Sequence, residues 1–301
     1  MKNRYSFFLF GLLFLCALPS QSQRLIDGFF NEQGSLSLTA GYTHTNYDAF
    51  YVGKMKVTGV PALGEVDQNI YSLYATYSIL DDLSVIASVP YFTAKSKDGA
   101  DPINGEDKIS AFQDIDIALK YRLHKFEMDE GYLNFLVAAG ITIPTGYEPN
   151  GILSLGSGSF NNTYNLGLHY QSNSGVFVSA TGGYSIRGKA DNNFNVNGGG
   201  DFDVPDAVLF TGRIGYVGSL FYLEAFADIQ SAVDGVDIMG PGFAGNFPET
   251  EVDYTVLGLS LYVPIIESLG ISGSYGTLVA GRNIGDSNYY NLGVTYSLKT
   301  N

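Results

Sequence analysis

The chain has 301 residues, only 15% of them charged, and its 30 acids against 16 bases give a net charge of −14. It carries 22 Tyr, 20 Phe and 37 Gly, with no Trp and one Cys. A disordered chain is poorer in aromatics and richer in charge, a nucleic-acid binder is basic, and a disulfide scaffold needs many cysteines. A helical membrane protein needs several apolar runs of about 20 residues, and only the N-terminus has a long one. An all-β chain, long enough for one large domain and with no nucleic-acid partner, is what remains.

Met1 to Gln23 reads as an export signal. Lys2 and Arg4 form a short basic region, Phe7–Leu18 is apolar, Pro19 breaks it, and Ser20 and Ser22 are the small residues of a cleavage site. The apolar stretch is too short to span a bilayer as a helix. Cys16 lies inside it, preceded by Phe14-Leu15 rather than the small residues of a lipid-acceptor site, and leaves with the signal. Cleavage after Ser22 removes two bases and takes the net charge to −16. The expected division is signal peptide 1–22, a periplasmic lead-in over 23–33, and one barrel over 34–301. A mature chain without cysteine in an oxidising compartment must be held by something other than disulfides, and a closed hydrogen-bond ladder suffices.

Beyond the signal, the sequence alternates with a period of two, the mark of strands with an apolar and a polar face. Between Gln113 and Leu123, Ile115, Ile117, Leu119, Tyr121 and Leu123 share one face, while Asp114, Asp116, Lys120 and Arg122 share the other. Four charges on alternate positions cannot face a dry core unpaired; they can face a wet or hydrogen-bonded lumen. The same alternation over the rest of the chain predicts twelve strands, at 34–45, 67–79, 83–93, 111–123, 132–144, 162–171, 176–187, 206–217, 220–229, 252–263, 270–278 and 287–298. Their lengths suit tilted crossings of a membrane.

The connections alternate too. Those after 79, 123, 171, 217 and 263 are short. Those spanning 45–66, 94–110, 145–161, 188–205 and 230–251 are long, with a briefer one at 279–286. Short turns at one end and long loops at the other mark a transmembrane, antiparallel up-and-down barrel in the outer membrane of a Gram-negative bacterium, with both termini periplasmic. Glu65-Val-Asp67 and Glu251-Val-Asp253 stand at equal spacing before turns at Asp81 and Glu267, and either a repeated strand–turn unit or chance explains this. The tyrosines are expected to form girdles at the two interfaces, ring buried and hydroxyl wet.

Phe112–Leu123 reads Phe-Gln-Asp-Ile-Asp-Ile-Ala-Leu-Lys-Tyr-Arg-Leu. An Asp followed six residues later by Lys-Tyr on one amphipathic strand resembles the hallmark strand of the "MetA-pathway of phenol degradation" family of outer-membrane barrels, also labelled transporter. Similar pieces are Gly140-Ile-Thr-Ile-Pro-Thr-Gly146, Leu155-Gly-Ser-Gly-Ser159 and Asn291-Leu-Gly-Val-Thr-Tyr-Ser-Leu298, so the resemblance covers about 34–298. It implies a barrel passing small, aromatic or apolar compounds, and supplies no catalytic residue. The C-terminus departs from the usual barrel ending: Tyr296 is followed by Ser-Leu-Lys-Thr-Asn rather than closing the chain.

Little local chemistry competes with a channel. His44, His124 and His169 are scattered, so no metal site or cofactor is expected. A barrel hydrolase needs a Ser–His pair, and His169 falls on the inner face, but no nucleophile elbow marks a serine. Asp191–Asp201 spaces oxygen ligands like a calcium loop but has Val196 where glycine is required. Loop 230–251 holds Asp234, Asp237, Glu249 and Glu251 without a base, a place for loosely bound calcium. The functional expectation rests on the inner-face charges: acids Asp114, Asp116, Glu224 and Asp228, and bases Lys120, Arg122, Arg187 and Arg213. They either set a transverse field across an open pore or pair into a lattice that fills a closed one. The expected partners are outer-membrane lipid and a small-molecule solute. A passive channel comes first, then a closed barrel with partner-binding outer loops, then a barrel hydrolase.

Overall fold

The computed structural model describes residues 26–60, 62–147, 149, 151–153, 156–192, 200–243 and 245–299. The export signal with Cys16, and residues 193–199 of the calcium-like segment, lie outside the described residues.

Among the described residues, alternating sequence becomes seventeen strands: β1 (Ser35–Tyr47), β2 (Ala49–Val52), β3 (Met55–Thr58), β4 (Val66–Leu80), β5 (Leu83–Ser96), β6 (Lys108–Phe112), β7 (Ile115–Met128), β8 (Gly131–Ile143) and β9 (Asn161–Ser172), followed by β10 (Val176–Arg187), β11 (Lys189–Asn192), β12 (Gly200–Asp203), β13 (Ala207–Val217), β14 (Tyr222–Ala232), β15 (Asp253–Ile266), β16 (Leu269–Arg282) and β17 (Asn288–Lys299). Twelve of these form the wall, each antiparallel to its neighbours in the order β1-β4-β5-β7-β8-β9-β10-β13-β14-β15-β16-β17. β1 pairs with β4 on one side and β17 on the other, so the sheet closes on itself. Closure removes both edges and satisfies the ladder in a medium that offers no water. The long loops add two small hairpins, β2–β3 and β11–β12. Among the described residues no helix is long and apolar enough to cross a membrane.

The period of two sorts the side chains. Leu119, Leu166, Ile214, Leu259 and Val294 point outward and are exposed, forming an apolar belt. Tyr42, Tyr71, Tyr91 and Phe112 stand in successive register across four strands on the long-loop side, with ring contacts of 5.3 and 5.2 Å. Tyr77, Tyr121, Tyr216 and Tyr296 are exposed toward the short-turn side. Tyr47, expected in a girdle, instead packs with Val60, Leu63, Val66 and Phe92 beneath the long loops.

Two departures from the sequence reading matter. The turn expected after Leu123 begins later: β7 continues to Met128 and turns at Asp129-Glu130. Between Arg122 and His124 the pairing with β8 shifts by one residue, so the outward positions pass from Leu119 and Tyr121 to His124 and Phe126, and the period of two breaks in sequence. The strand expected at 111–123 is also interrupted. Ser88 pairs with Asp116 and Tyr91 with Phe112, so Val89-Pro90 opposes the three residues Gln113, Asp114 and Ile115. Pro90 has no N–H to complete the ladder, and an extra residue opposite it makes a bulge. The Gln113 N–H donates to the Pro90 carbonyl at 2.9 Å. Gln113 and Asp114 both line the lumen as a result.

Candidate functional site

The lumen is a funnel. At the long-loop end lies a chamber of about 680 Å³, whose lining includes Phe50, Phe92, Asp114, Arg187, Gln230 and Phe247. Thr142, Thr163 and Leu209 also line a second space of about 200 Å³ beside Asp116 and Ile26. Below it, the gap among Ile26, Asp27, Gly28, Ser179 and Arg213 has no room for water.

The seal is the N-terminal segment. Residues 26–33 were expected outside the barrel as a lead-in; they enter it from the short-turn end. At the rim, the Gln33 N–H donates to Asp81 at 2.7 Å and the Gly34 N–H to the Ser78 carbonyl at 2.8 Å. Deeper, Lys120 Nζ lies 2.5 Å from Asp27 Oδ1 and donates to the Phe29 carbonyl at 2.6 Å. Arg213 donates to the Ile26 carbonyl and Asn134 to that of Gly28, both at 3.3 Å. The Phe29 ring meets His169, Phe177 and Tyr222 edge-on at 4.6, 5.2 and 5.7 Å. Lys120 and Arg122 lie 4.6 and 4.8 Å from the centre of the Phe30 ring, in cation–π contact. A Cβ on Gly28 would stand 2.2 Å from the His169 ring, so only glycine lets the segment lie this close to the wall. Burial opposes ionisation of Asp27, but Lys120 and Arg213 together outweigh it and hold the carboxyl below its ordinary range.

The eight inner-face charges fall into separate groups. Lys120 and Arg213 hold the segment, while Arg122 donates to Asp82 at the short-turn rim at 2.6 Å. Glu224 accepts from the Tyr222 hydroxyl, beside Phe29. Higher up, Asp116 accepts from Thr142 at 2.6 Å and Asp228 from Thr211 at 2.9 Å. Asp114 accepts from Tyr147 at 2.8 Å, and the same Tyr147 oxygen accepts from the Gly158 N–H at 3.0 Å, drawing loop 144–160 inward. Arg187 reaches the chamber and donates to Gln230 at 2.8 Å. Among the described residues none of the eight forms an ion pair with another; the pairs of Lys120 and Arg122 go to Asp27 and Asp82. The eight do not form a lattice among themselves: Lys120 and Arg122 pair with carboxylates outside the set, Arg213 meets a backbone carbonyl, the four acids accept from hydroxyls and Arg187 donates to an amide.

At the mouth, Asn283 is a hub with φ +52°. Its side-chain oxygen accepts from the N–H groups of Gly53 and Ile238 at 2.8 and 3.0 Å, and its amide donates to the Glu251 carbonyl at 2.8 Å. Arg282 holds Asp237 in a two-point contact at 2.6 and 2.8 Å and also pairs with Glu251. Its guanidinium depresses the Asp237 carboxyl. Two of the four acids expected to attract calcium are therefore engaged, and no three metal-ligating side chains converge among the described residues.

Asp27 and Phe29 carry no motif that marks them in sequence, nor does the pairing of His169 with Ser179, whose Oγ lies 2.6 Å from His169 Nδ1. That pair has the spacing of a nucleophile and its base, but Gly28 and Phe29 cover it and leave no space for a substrate.

The fold is that of the COG4313 outer membrane channel from Pseudomonas putida F1, with a TM-score of 0.70 at 15% identity, covering 91% of this chain and 99% of that one. Looser similarities are to the CymD monoaromatic hydrocarbon channel (TM-score 0.40, 10% identity, 90% and 89% covered) and a TodX monoaromatic hydrocarbon channel mutant (0.42, 10%, 90% and 91%). No curated protein matches in sequence. The model of the family described as "Putative MetA-pathway of phenol degradation" matches residues 58–252, well over half of the chain, and the chain belongs to that family.

Proposed function

We propose that the protein is a passive outer-membrane channel for small, chiefly aromatic solutes, with the N-terminal segment as its inner gate and no catalytic step. The long loops face outward and both termini lie in the periplasm, the apolar belt contacting lipid. Solute enters the chamber, passes the narrow space beside Asp116, and leaves when residues 26–33 withdraw. One observation carries this reading: the cavities along the lumen fall from about 680 Å³ to about 200 Å³ to a gap with no room for water, and that gap lies between the wall and the peptide Ile26-Asp27-Gly28. The description of the family favours aromatic solutes.

Proteoliposomes test it. Uptake of a labelled monoaromatic compound should exceed that of empty vesicles and rise when residues 26–33 are deleted. Neutralising Asp116 should then change the ion selectivity of the deleted form, and unchanged selectivity would place the path elsewhere. The tight seal also favours a second reading, a barrel that stays closed and acts through its outer loops. Absence of single-channel current from the correctly folded deletion form would establish that reading instead.

A further inference from the structure

Arg187 stands apart from the other inner-face cations. Lys120 and Arg122 each have a carboxylate within ion-pair distance, and Arg213 donates to the docked N-terminal segment close to Asp27. Arg187, the last residue of β10, has no carboxylate within ion-pair distance among the described residues; its guanidinium donates to the neutral Gln230 amide. Asp206 meets the Arg187 backbone N–H at 2.8 Å and the Tyr184 hydroxyl at 3.0 Å. A partly buried cation without an ionic partner is costly unless an anion visits it.

Its surroundings suit such a visitor. Arg187 faces Asn161 in direct register, and Ser185 faces Thr163, so this stretch of wall presents polar side chains toward the chamber. Gln230 is held from behind by the Val252 carbonyl at 2.9 Å, which fixes the amide that orients Arg187. The apolar part of the lining is Phe50, Phe92, Ile152, Leu209, Ile238 and Phe247. Phe92 lies on β5, four strands round the barrel from β10, within an apolar cluster that also takes in Phe50 and Ile152. The other chamber carboxylate, Asp114, is engaged by Tyr147.

We propose that the chamber is a binding site for small monocarboxylates with an aromatic body, the carboxylate held by Arg187 and the ring by the apolar lining. A guanidinium matches a carboxylate with two parallel N–H donors. A phenol is un-ionised near neutral pH, as the tyrosine side chain is, and offers one hydroxyl only. Arg187 therefore selects aromatic acids over phenols and hydrocarbons. The proposal rests on reading the lumen as a solute path.

Calorimetric titration of the full chain folded in detergent, with benzoate, benzamide, phenol and acetate as probes, tests it. Benzoate should bind at least tenfold tighter than its neutral isostere benzamide, and tighter than phenol or acetate, which lack the charge or the ring. Arg187→Gln should remove the preference for benzoate over benzamide; Arg187→Lys should keep part of it. Equal binding of benzoate and benzamide by the unaltered protein overturns the proposal without any variant. Retained preference in a heat-modifiable, folded Arg187→Gln protein overturns it as well. Because binding is read without transport, the two ideas separate. Benzoate bound but never taken up refutes the channel, and uptake of neutral aromatics without benzoate binding refutes the site alone.

Discussion

Asp27 and Lys120, 93 positions apart in the chain, meet at 2.5 Å inside the barrel, and their contact closes it. The Lys120 side chain is almost wholly buried, while that of Asp27 keeps 36% of its surface exposed. A half-open pair of this kind contributes about 1–2 kcal/mol, between an exposed and a fully buried salt bridge. Asp27→Asn should therefore raise the open fraction of the channel about tenfold. Planar-bilayer recording checks this, and an open fraction equal to that of the unaltered protein would show that the segment is held by its aromatic contacts alone.

The same carboxylate gives a pH dependence with a defined sign. Lys120 and Arg213 hold Asp27 below the 3.8 of a free aspartate despite its burial. A carboxyl depressed in the docked state stabilises docking above its undocked value and loses that contribution as pH falls through the docked one. Conductance should stay flat from pH 8 to 5 and rise only below about 4. Asp27→Asn should remove the rise. A transition near pH 6 would point to another group.

Gly28 and His169 make a steric test. A methyl at position 28 would stand 2.2 Å from the imidazole ring, and the ring is packed by Phe29 and Phe177. Overpacking of this kind costs about 1–3 kcal/mol. Gly28→Ala should expel the segment and expose it to a protease added on the short-turn side. Adding His169→Ala makes room for the methyl and should restore protection. If the double variant is cleaved as fast as the single one, the close approach of segment and ring is not what limits docking.

Much of this molecule follows from a period of two. Ile115, Ile117 and Leu119 had to face outward because Asp114, Asp116 and Lys120 belong inside, and each amphipathic run yields a wall strand within a few residues of its end. The bulge was harder to read, since Pro90 and Gln113 lie on different strands and their opposition appears only once the register is known. The gate was harder still. Ile26-Asp-Gly-Phe-Phe30 is too short to show a period, and its partners Lys120, Asn134, His169, Phe177, Arg213 and Tyr222 come from six consecutive wall strands. Lys120 and Arg213 were legible as inward charges; what they held was not, because an inward charge looks the same in sequence whether it meets water, a wall partner or a docked peptide.

The bulge has its own consequence at the mouth. It brings Asp114 to the Tyr147 hydroxyl at 2.8 Å, and that oxygen also holds the Gly158 N–H, so one phenol ties both arms of loop 144–160 to the wall. Removing the hydroxyl by Tyr147→Phe leaves the Asp114 carboxylate without this donor and the Gly158 N–H without this acceptor. A hydrogen bond to a charged group contributes about 1.5–3 kcal/mol. The loop should then be cut by protease at least tenfold faster, while the barrel keeps its heat-modifiable gel shift, because the twelve-strand ladder does not involve Tyr147. An unchanged cleavage rate would mean that the Thr145 hydroxyl, which donates to the Phe112 carbonyl, anchors the loop by itself.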